Sequence, residues 1–270
     1  MNAHATDAEF ERRFGGLRRL YGVAAAQRVF DAHVCVVGVG GVGSWVAEAL
    51  ARSGVGHLTL VDMDHVAESN INRQVHALTA TVGASKISAM QDRIAQINPY
   101  ATVRLIDDFV SPSNWATYWR TWADEGRVPD AVVDACDDMS AKLTMCVHAR
   151  HVRVPHVVVG AAGGKWLAHG IEVNDLSVVT HDPLLAKLRY QLRRVHGAPR
   201  QGTMGVTCVF SREPVRPPDA SCALESADGS LNCHGFGSSV AVTSAMGMVA
   251  AAHVMNALAG VVQRRSTKKR

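Results

Sequence analysis

The chain has 270 residues, a formal net charge of +4 and six cysteines without a C-x-x-C pair. This length allows one large α/β domain, with or without an appended lobe, whose core needs no disulfides. The small net charge excludes an overall basic field, so any nucleic-acid binding must come from local clusters. The cysteine spacing argues against a four-cysteine zinc site. Because residues 10 to 19 carry charges where a signal peptide would be apolar, we expect a cytoplasmic protein with reduced thiols.

The N-terminal segment is basic and contains two adjacent glycines. Residues 1 to 8 are expected to fray, and the arginines of residues 9 to 22 are interrupted by Gly15 and Gly16. This pattern predicts either a broken basic arm that could reach a phosphate or a solvated helix that packs against the core. Residues 23 to 32 then predict a helix that leads into the first strand.

Residues 34 to 44 form a short apolar run followed by four glycines and the start of a helical pattern. Gly38, Gly40 and Gly43 have the G-x-G-x-x-G spacing, which permits a tight turn and a close approach of the backbone to phosphates. A predicted helix follows, and then a second strand that ends at Asp62, where an acid suits a ribose hydroxyl. The sequence therefore predicts a nucleotide site, with a glycine-rich turn without a ligand as the alternative.

Strands and helices continue to alternate as far as residue 160. After a polar segment at 62 to 74, the predicted elements are a helix opened by Lys86 and running from 87 to 97, a strand at 102 to 106, a helix through 115 to 122, a strand from 131 to 138, a helix at 142 to 150 and a strand at 155 to 159. This alternation predicts an α/β fold with a Rossmann-like, doubly wound, mostly parallel sheet. Its ligand would lie at the carboxyl ends of the strands, where Gly38, Asp62 and Asp137 fall. Asp137 and Asp138 could instead cap the next helix.

The composition changes after residue 160 and predicts an additional C-terminal region of strands and helices. Two strands, at 170 to 173 and 206 to 210, flank a basic helix at 182 to 196, and a polar loop follows at 211 to 234. Residues 235 to 262 contain no Asp, Glu, Lys or Arg and are long enough to span a bilayer. Because this segment is rich in small residues, a helix buried in the core or at a dimer face is favoured over stable membrane insertion.

Several motifs together resemble one family. Those shared with the ubiquitin-activating-enzyme-like adenylating family are residues 38 to 44, Asp62-Met63-Asp64, residues 69 to 74, Lys86 and Cys136-Asp137. Other motifs resemble the branch of that family that dehydrates threonylcarbamoyladenosine in tRNA. They are Arg13-Phe14-Gly15-Gly16, Arg19-Leu20-Tyr21-Gly22, residues 72 to 78, residues 96 to 99, His181-Asp182-Pro183-Leu184, residues 186 to 189, and residues 205 to 211 without residue 207. The resemblance covers about residues 9 to 260.

The resemblance implies ATP and Mg²⁺ as cofactors and assigns roles to individual residues. Gly41 would lie against the phosphates, Asp62 would hold the ribose, and Asp137 would lie beside the metal and the α-phosphate. Arg73, Lys86 and Asp137 are the implied catalytic residues, and Asp137 is the implied metal ligand. The implied nucleotide-binding set is Gly38, Gly40, Gly41, Gly43, Asp62, Asp64, Ser69, Asn70, Arg73, Lys86, Asp137 and Arg19. Arg19 is included as the substitute for an arginine that many relatives place where this chain has Gly15-Gly16.

The same resemblance implies the reaction and the partners. The threonyl carboxylate of N6-threonylcarbamoyladenosine, at position 37 of tRNA, would be adenylated by ATP and would then cyclise, with release of AMP and pyrophosphate. The partners would be the tRNA anticodon loop and a second copy of the chain, and a cysteine desulfurase or sulfur-acceptor system stays open. The implied organisation is an ATP-binding adenylation region at 1 to 160, a substrate-binding and dimerisation region of the same domain at 161 to 262, and a basic tail at 263 to 270.

Three other functions compete with this interpretation. An activator of the C-terminus of a sulfur-carrier protein could use Cys233, but its relatives commonly have paired C-x-x-C motifs that this chain lacks. An NAD-dependent dehydrogenase could share the glycine turn, but it has no use for a triphosphate clamp of Asn70, Arg73 and Lys86. A nucleotide-regulated scaffold would not need the acidic and basic residues. Because ring closure within the substrate needs no enzyme nucleophile, Cys222 and Cys233 are predicted to be unreactive.

Overall fold

The computed structural model describes residues 8–152, 154–219, 221 and 236–261. Seven strands form its sheet: β1 His33–Val37, β2 His57–Val61, β3 Thr102–Ile106, β4 Ala131–Asp134, β5 His156–Val159, β6 Ile171–Asp175 and β7 Thr207–Ser211. The α-helices in these residues are α1 Ala8–Tyr21, α2 Val23–Asp31, α3 Gly43–Arg52, α4 Lys86–Ile97, α5 Trp115–Asp124, α6 Met139–Val152, α7 Pro183–Val195 and α8 Val240–Leu258.

The strands form a single sheet in the order β3-β2-β1-β4-β5-β7-β6. All neighbouring pairs are parallel except β6 and β7, which are antiparallel. Val37 is in register with Val61 on one side and Asp134 on the other, so that β1, β2 and β4 end at one level. The predicted fold class, a doubly wound and mostly parallel sheet with additional C-terminal elements, is confirmed. The two C-terminal strands extend the same sheet beyond residue 160.

The sheet carries a core on each of its faces because its central strands are valine-rich and buried on both sides. Val34 and Val36 point toward the layer of α3, α4 and α8, whereas Cys35 and Val37 pack with the tryptophans of α5. At β5 and β7, helix α7 covers the face opposite α3, α4 and α8, through Leu185 and its neighbours. With both faces covered, ligands can reach the sheet at the strand ends.

Of the two interpretations of the N-terminal segment, the broken arm is not observed, because α1 runs through both Gly15 and Gly16. Phe10 and Phe14 are buried, and their ring centroids lie 4.9 Å apart, with Phe30 of α2 at 5.0 Å from Phe10. Burial of these rings outweighs the cost of two helical glycines, about 1 kcal/mol each relative to alanine. The alternative interpretation, a helix packed against the core, is the one observed.

The fourth strand is shorter than predicted, since β4 ends at Asp134 rather than at Asp138. The chain turns at once into α6, and the Ala141 N–H donates a 2.7 Å hydrogen bond to Asp138 Oδ1. Asp138 is therefore the helix cap that the sequence offered as an alternative. Asp137 is exposed directly beyond the strand.

Helix α8 accounts for most of the uncharged C-terminal segment. With 19 residues and a mean hydropathy of 1.4, it is long and apolar enough to cross a membrane by length and composition alone. It packs along α3, where a Cβ added to Gly247 would lie only 2.6 Å from the Cβ of Trp45. Its buried residues include Val242, Met246 and Val254. One such helix, by length and composition alone, does not indicate a membrane protein.

Candidate functional site

The glycine turn leaves β1 at its carboxyl end and is held tightly against β4. Gly38 has a φ of +83°, and an added Cβ would lie 2.7 Å from the backbone nitrogen of Cys136. At Gly43 an added Cβ would lie 1.7 Å from the carbonyl oxygen of Gly38, so a side chain there would break the turn. Gly40 and Gly41 have no neighbouring backbone this close. The turn therefore leaves backbone open on the side where a phosphate group could approach.

Asp62 fixes this turn from the end of β2. The Val39 N–H donates to its Oδ2 at 2.6 Å and the Asp64 N–H to its Oδ1 at 2.9 Å. Burial raises the pKa of Asp62, although nearby Lys86 and the two N–H donors oppose the rise. Each carboxylate oxygen still has a lone pair that could accept a sugar hydroxyl. The structure thus places Asp62 at the turn and shows a positioning role that the sequence did not indicate.

Lys86 lies at the same edge, at the start of α4. Its Nζ is 2.7 Å from Asp64 Oδ2, and the side chain of Lys86 is 9% exposed whereas that of Asp64 is 54% exposed. The Lys86 N–H also donates to the Asp64 carbonyl at 3.0 Å. The ammonium is therefore held near the turn by a carboxylate that faces solvent.

The polar segment after β2 places Arg73 beside the glycine turn. A Cβ added to Gly41 would lie 3.6 Å from Arg73 Cδ. The Arg73 carbonyl accepts hydrogen bonds from Trp45 Nε1 of α3, at 2.9 Å, and from Thr243 Oγ1 of α8, at 3.3 Å. Two helices therefore fix the backbone of this segment.

The guanidinium of Arg73 is oriented by its own loop. Its Nη1 donates to the Ser69 carbonyl and to Asn72 Oδ1, the latter at 2.8 Å. Burial lowers the pKa of Arg73, although arginine stays charged at neutral pH. Asn70 is buried one turn earlier, and its Oδ1 accepts from the Ala67 N–H at 3.1 Å. The loop thus holds the positively charged guanidinium of Arg73 in a fixed orientation.

Most of the predicted site residues converge at this edge of the sheet, but Arg19 does not join them within one chain. Asp137 follows Cys136, whose backbone touches Gly38. Arg19 is exposed on α1, and Phe14 of the same helix packs against Gly54, just before the amino end of β2. This is the opposite end of the sheet from the glycine turn.

A buried ion pair that was not predicted from the sequence lies next to the site. Lys142 Nζ lies 2.9 Å from Asp134 Oδ1 and 2.9 Å from the Val159 carbonyl oxygen, and both side chains of the pair are fully buried. Burial alone would lower the pKa of Lys142, but the Asp134 carboxylate outweighs it and raises the pKa to about 12. The pair ties the carboxyl ends of β4 and β5 to α6. The only sequence signal was an acid that ended an apolar strand, eight residues before a lysine.

The thiols within the described residues do not form a reactive centre. Cys35, Cys136, Cys146 and Cys208 are unpaired, and burial raises the pKa of each. A raised pKa keeps a thiol protonated and weakly nucleophilic. Cys222 and Cys233 lie outside the described residues, as do residues 263 to 270. The described part of the chain also contains no cluster of three or more His, Cys, Asp or Glu side chains that could hold a metal unaided.

Comparison with known proteins identifies the family. A model of the ThiF family matches residues 13–270. The chain belongs to the ThiF family. It is 43% identical over 264 residues to the tRNA threonylcarbamoyladenosine dehydratase of Escherichia coli (strain K12), covering 94% of this chain and 96% of that protein. The protein of the same name from Haemophilus influenzae is 39% identical, and the match covers 92% of this chain and 94% of that protein.

A solved structure extends this similarity to the fold. The crystal structure of the Escherichia coli dehydratase in complex with ATP matches with a TM-score of 0.83 and 41% sequence identity. The match covers 94% of this chain and 96% of that one. The similarity therefore includes the C-terminal strands and α8 and is not limited to the glycine turn. The resemblance to the adenylating family is confirmed.

Proposed function

We propose that this protein is an ATP-dependent tRNA-modifying enzyme that dehydrates N6-threonylcarbamoyladenosine, at position 37, to its cyclic form. The observation that carries the proposal is that the glycine turn, Asp62, Arg73 and Lys86 lie together at one edge of the sheet. The chain is also similar, over 94% of its length, to a dehydratase whose structure was solved with ATP. The relatives from Escherichia coli and Haemophilus influenzae carry the same activity in their names.

In this proposal the site binds ATP through backbone and cationic groups. The open backbone at Gly40 and Gly41 faces the phosphates, with Gly38 and Gly43 keeping the turn tight, and Asp62 accepts from the ribose. Lys86 exchanges its exposed partner Asp64 for phosphate oxygens, and Arg73 is already held beside the turn. Asn70 and Ser69 order the loop that carries Arg73. Two cations facing a triphosphate supply charge-assisted hydrogen bonds of the stronger kind.

The chemistry follows from where charge develops. A threonyl carboxylate oxygen attacks the α-phosphorus and displaces pyrophosphate, and the negative charge on the phosphate oxygens grows during this step. Arg73 and Lys86 stabilise that charge because they are oriented before the reaction starts. A nucleophile in the same threonylcarbamoyl side chain then attacks the activated carbonyl, loses its proton and expels AMP. Because this closure is intramolecular, it needs no cysteine.

Magnesium belongs to the proposal through Asp137. This carboxylate is exposed beyond β4 and makes no capping contact like that of Asp138, so it is available as a ligand. Mg²⁺ is commonly held by one or two carboxylates together with substrate phosphates, which fits a single acid at the mouth of the site. When bound, the ion would neutralise charge on the phosphates.

We also infer a cytoplasmic homodimer in which Arg19 serves the partner's site. Helix α8 is too apolar to be left bare, and Val240 and Met248 on it are 45% and 40% exposed. Arg19 is exposed on α1, whose Phe14 packs against Gly54 near the amino end of β2 and not at the glycine turn, which supports a role across the interface. Sedimentation velocity without detergent should give a dimer, and a monomer would contradict this inference. The division at residue 160 and a sulfur-transfer partner remain predictions.

The activity assay is mass spectrometry of tRNA nucleosides after incubation with enzyme and ATP. Threonylcarbamoyladenosine should lose the mass of one water, and Asp137→Ala should reduce the rate about a hundredfold while the protein stays folded. Asp138→Asn is the matched control, because it keeps an oxygen that can cap α6 and should retain the rate. Near wild-type turnover of Asp137→Ala would refute this site assignment.

A second pair of variants separates the proposal from a thiol-transfer mechanism. Cys222→Ala and Cys233→Ala should both retain product formation. If an adenylate were handed to a thiol, one of them would still exchange pyrophosphate with ATP but would form no product. That result would favour the sulfur-carrier activator over the dehydratase.

A further inference from the structure

Trp166 is an exposed aromatic residue with a cation stacked on it. Its side chain follows two buried residues, Gly164 and Lys165, yet it is 67% exposed. The guanidinium carbon of Arg216 lies 3.9 Å from the centroid of the indole ring. Since one face of the ring meets the guanidinium while most of its surface stays accessible, the other face is open to solvent. A cation–π contact with so exposed a ring contributes little to the stability of the folded chain.

The loop that carries Trp166 is rigidly built. The buried carboxylate of Glu213 accepts hydrogen bonds from the backbone N–H groups of Trp166 and Leu167, both at 2.8 Å, and from Arg216 Nε at 3.1 Å. Lys165, 1% exposed, donates from Nζ to the carbonyls of His181, at 2.8 Å, and of Glu213. A single carboxylate therefore positions the ring and the cation together, which prepares both for a ligand.

This loop lies at the same edge of the sheet as the proposed ATP site. It leaves the carboxyl end of β5, and residues 212 to 216 leave the carboxyl end of the parallel strand β7. The Gly164 N–H donates to the Gly237 carbonyl at 2.9 Å, and Asn72 Nδ2 donates to the Ser238 carbonyl at 3.0 Å. One short segment before α8 thus connects the tryptophan loop to the loop that carries Arg73.

We propose that Trp166, backed by Arg216, is a stacking platform for an unpaired base of the tRNA anticodon loop, next to the modified adenosine. This inference rests on the proposed function. Sequence-tolerant recognition of unpaired RNA uses aromatic rings and guanidinium planes on which bases stack, combined with nearby cations for the phosphates. Trp166 and Arg216 supply the ring and the cation at the edge where the reacting group must lie. A base on the open face would complete a three-layer stack.

The test compares Trp166→Ala, Trp166→Phe and the wild-type enzyme on an anticodon stem-loop that carries threonylcarbamoyladenosine. Trp166→Ala should raise the KM for the stem-loop about tenfold, with kcat and the KM for ATP unchanged, because stacking contributes binding rather than chemistry. Trp166→Phe should recover most of the loss, since it keeps an aromatic face. Val128→Ala is the control, because Val128 is 37% exposed in the loop before the amino end of β4, away from the proposed site, and should leave every constant unchanged.

Stem-loops with single abasic positions beside the modified adenosine identify the stacked base. At one position the loss of the base should weaken binding to the wild type but not further weaken binding to Trp166→Ala. If the wild type converts the stem-loop and Trp166→Ala has the same KM, the platform is refuted while the proposed function stands. If the wild type neither binds nor converts it, the proposed function itself fails. A change in the sedimentation of Trp166→Ala would assign the ring to an interface between copies and overturn the platform.

Discussion

Two lysine–aspartate pairs lie near the carboxyl edge of the sheet, and they differ in burial. Lys86 and Asp64 are 2.7 Å apart with an acid that is 54% exposed, whereas Lys142 and Asp134 are 2.9 Å apart with both side chains at 0%. The first pair can exchange its carboxylate for a ligand's phosphate, because water and ligand reach the acid. The second pair is closed, and its Nζ is also bound by the Val159 carbonyl. The same two residue types therefore serve the open site in one case and the packing of β4, β5 and α6 in the other.

The sharpest way to test this contrast is Lys142→Met in the closed pair. Removing the ammonium leaves the Asp134 carboxylate buried and unpaired, which should lower the free energy of unfolding by about 3–5 kcal/mol. Urea denaturation followed by circular dichroism measures it. The double variant Lys142→Met, Asp134→Leu should regain part of the loss because no charge is left behind. A Lys142→Met protein as stable as the wild type would show that the pair contributes nothing to the fold.

The corresponding change in the open pair is Lys86→Met, and it should affect activity rather than stability. We expect a loss of about 3 kcal/mol of transition-state stabilisation, roughly a hundredfold in rate, with an unfolding midpoint close to that of the wild type. Asp64→Asn is the control, since it removes the partner but keeps the cation, and it should lose much less activity. An active Lys86→Met enzyme would remove this lysine from the proposed ATP site.

A smaller effect concerns how stability depends on pH near the buried pair of Lys142 and Asp134. Burial lowers the pKa of His156 to about 4, with opposing effects of Asp134 and Lys142. The unfolded chain binds this proton near pH 6.5 and the folded chain only near 4, so stability is complete above about 6.5 and falls as the pH decreases toward 4. At pH 5 this one residue should account for about 2 kcal/mol. Thermal unfolding of His156→Gln between pH 7 and 5 should show a flatter dependence of stability on pH than the wild type, and an unchanged slope would contradict the role of His156.

Local patterns were enough to predict the order of the elements. Short, mostly apolar runs of four or five residues identify β1 to β5, because the strands of a sheet that is covered on both faces need apolar side chains on both sides. The glycine spacing with Asp62 predicted the turn that the structure shows. The sequence left open whether Gly15 and Gly16 break the N-terminal segment, because propensity alone does not show that Phe10 and Phe14 pack against the core.

The parts that escaped prediction depend on contacts between distant segments. From the sequence alone, Lys142 is an ordinary helical lysine. In the fold, β5 places the Val159 carbonyl beside it. Trp166 reads as one more apolar residue in a loop, and only its exposure and the position of Arg216 distinguish it. Both facts depend on how segments that are distant in the sequence pack together, which no local pattern contains.

The close packing of α8 on α3 has a consequence for biosynthesis. Helix α3 emerges early from the ribosome, with eight of its ten residues destined for burial, while the helix that covers it is among the last described segments to be made. Until then the face of α3 that packs against α8 has no native cover, and a partly synthesised chain exposes an apolar surface there. Gly247 makes the later docking possible at backbone distance from Val42 and Val46. A chaperone would therefore protect this chain most while only its first half has been synthesised.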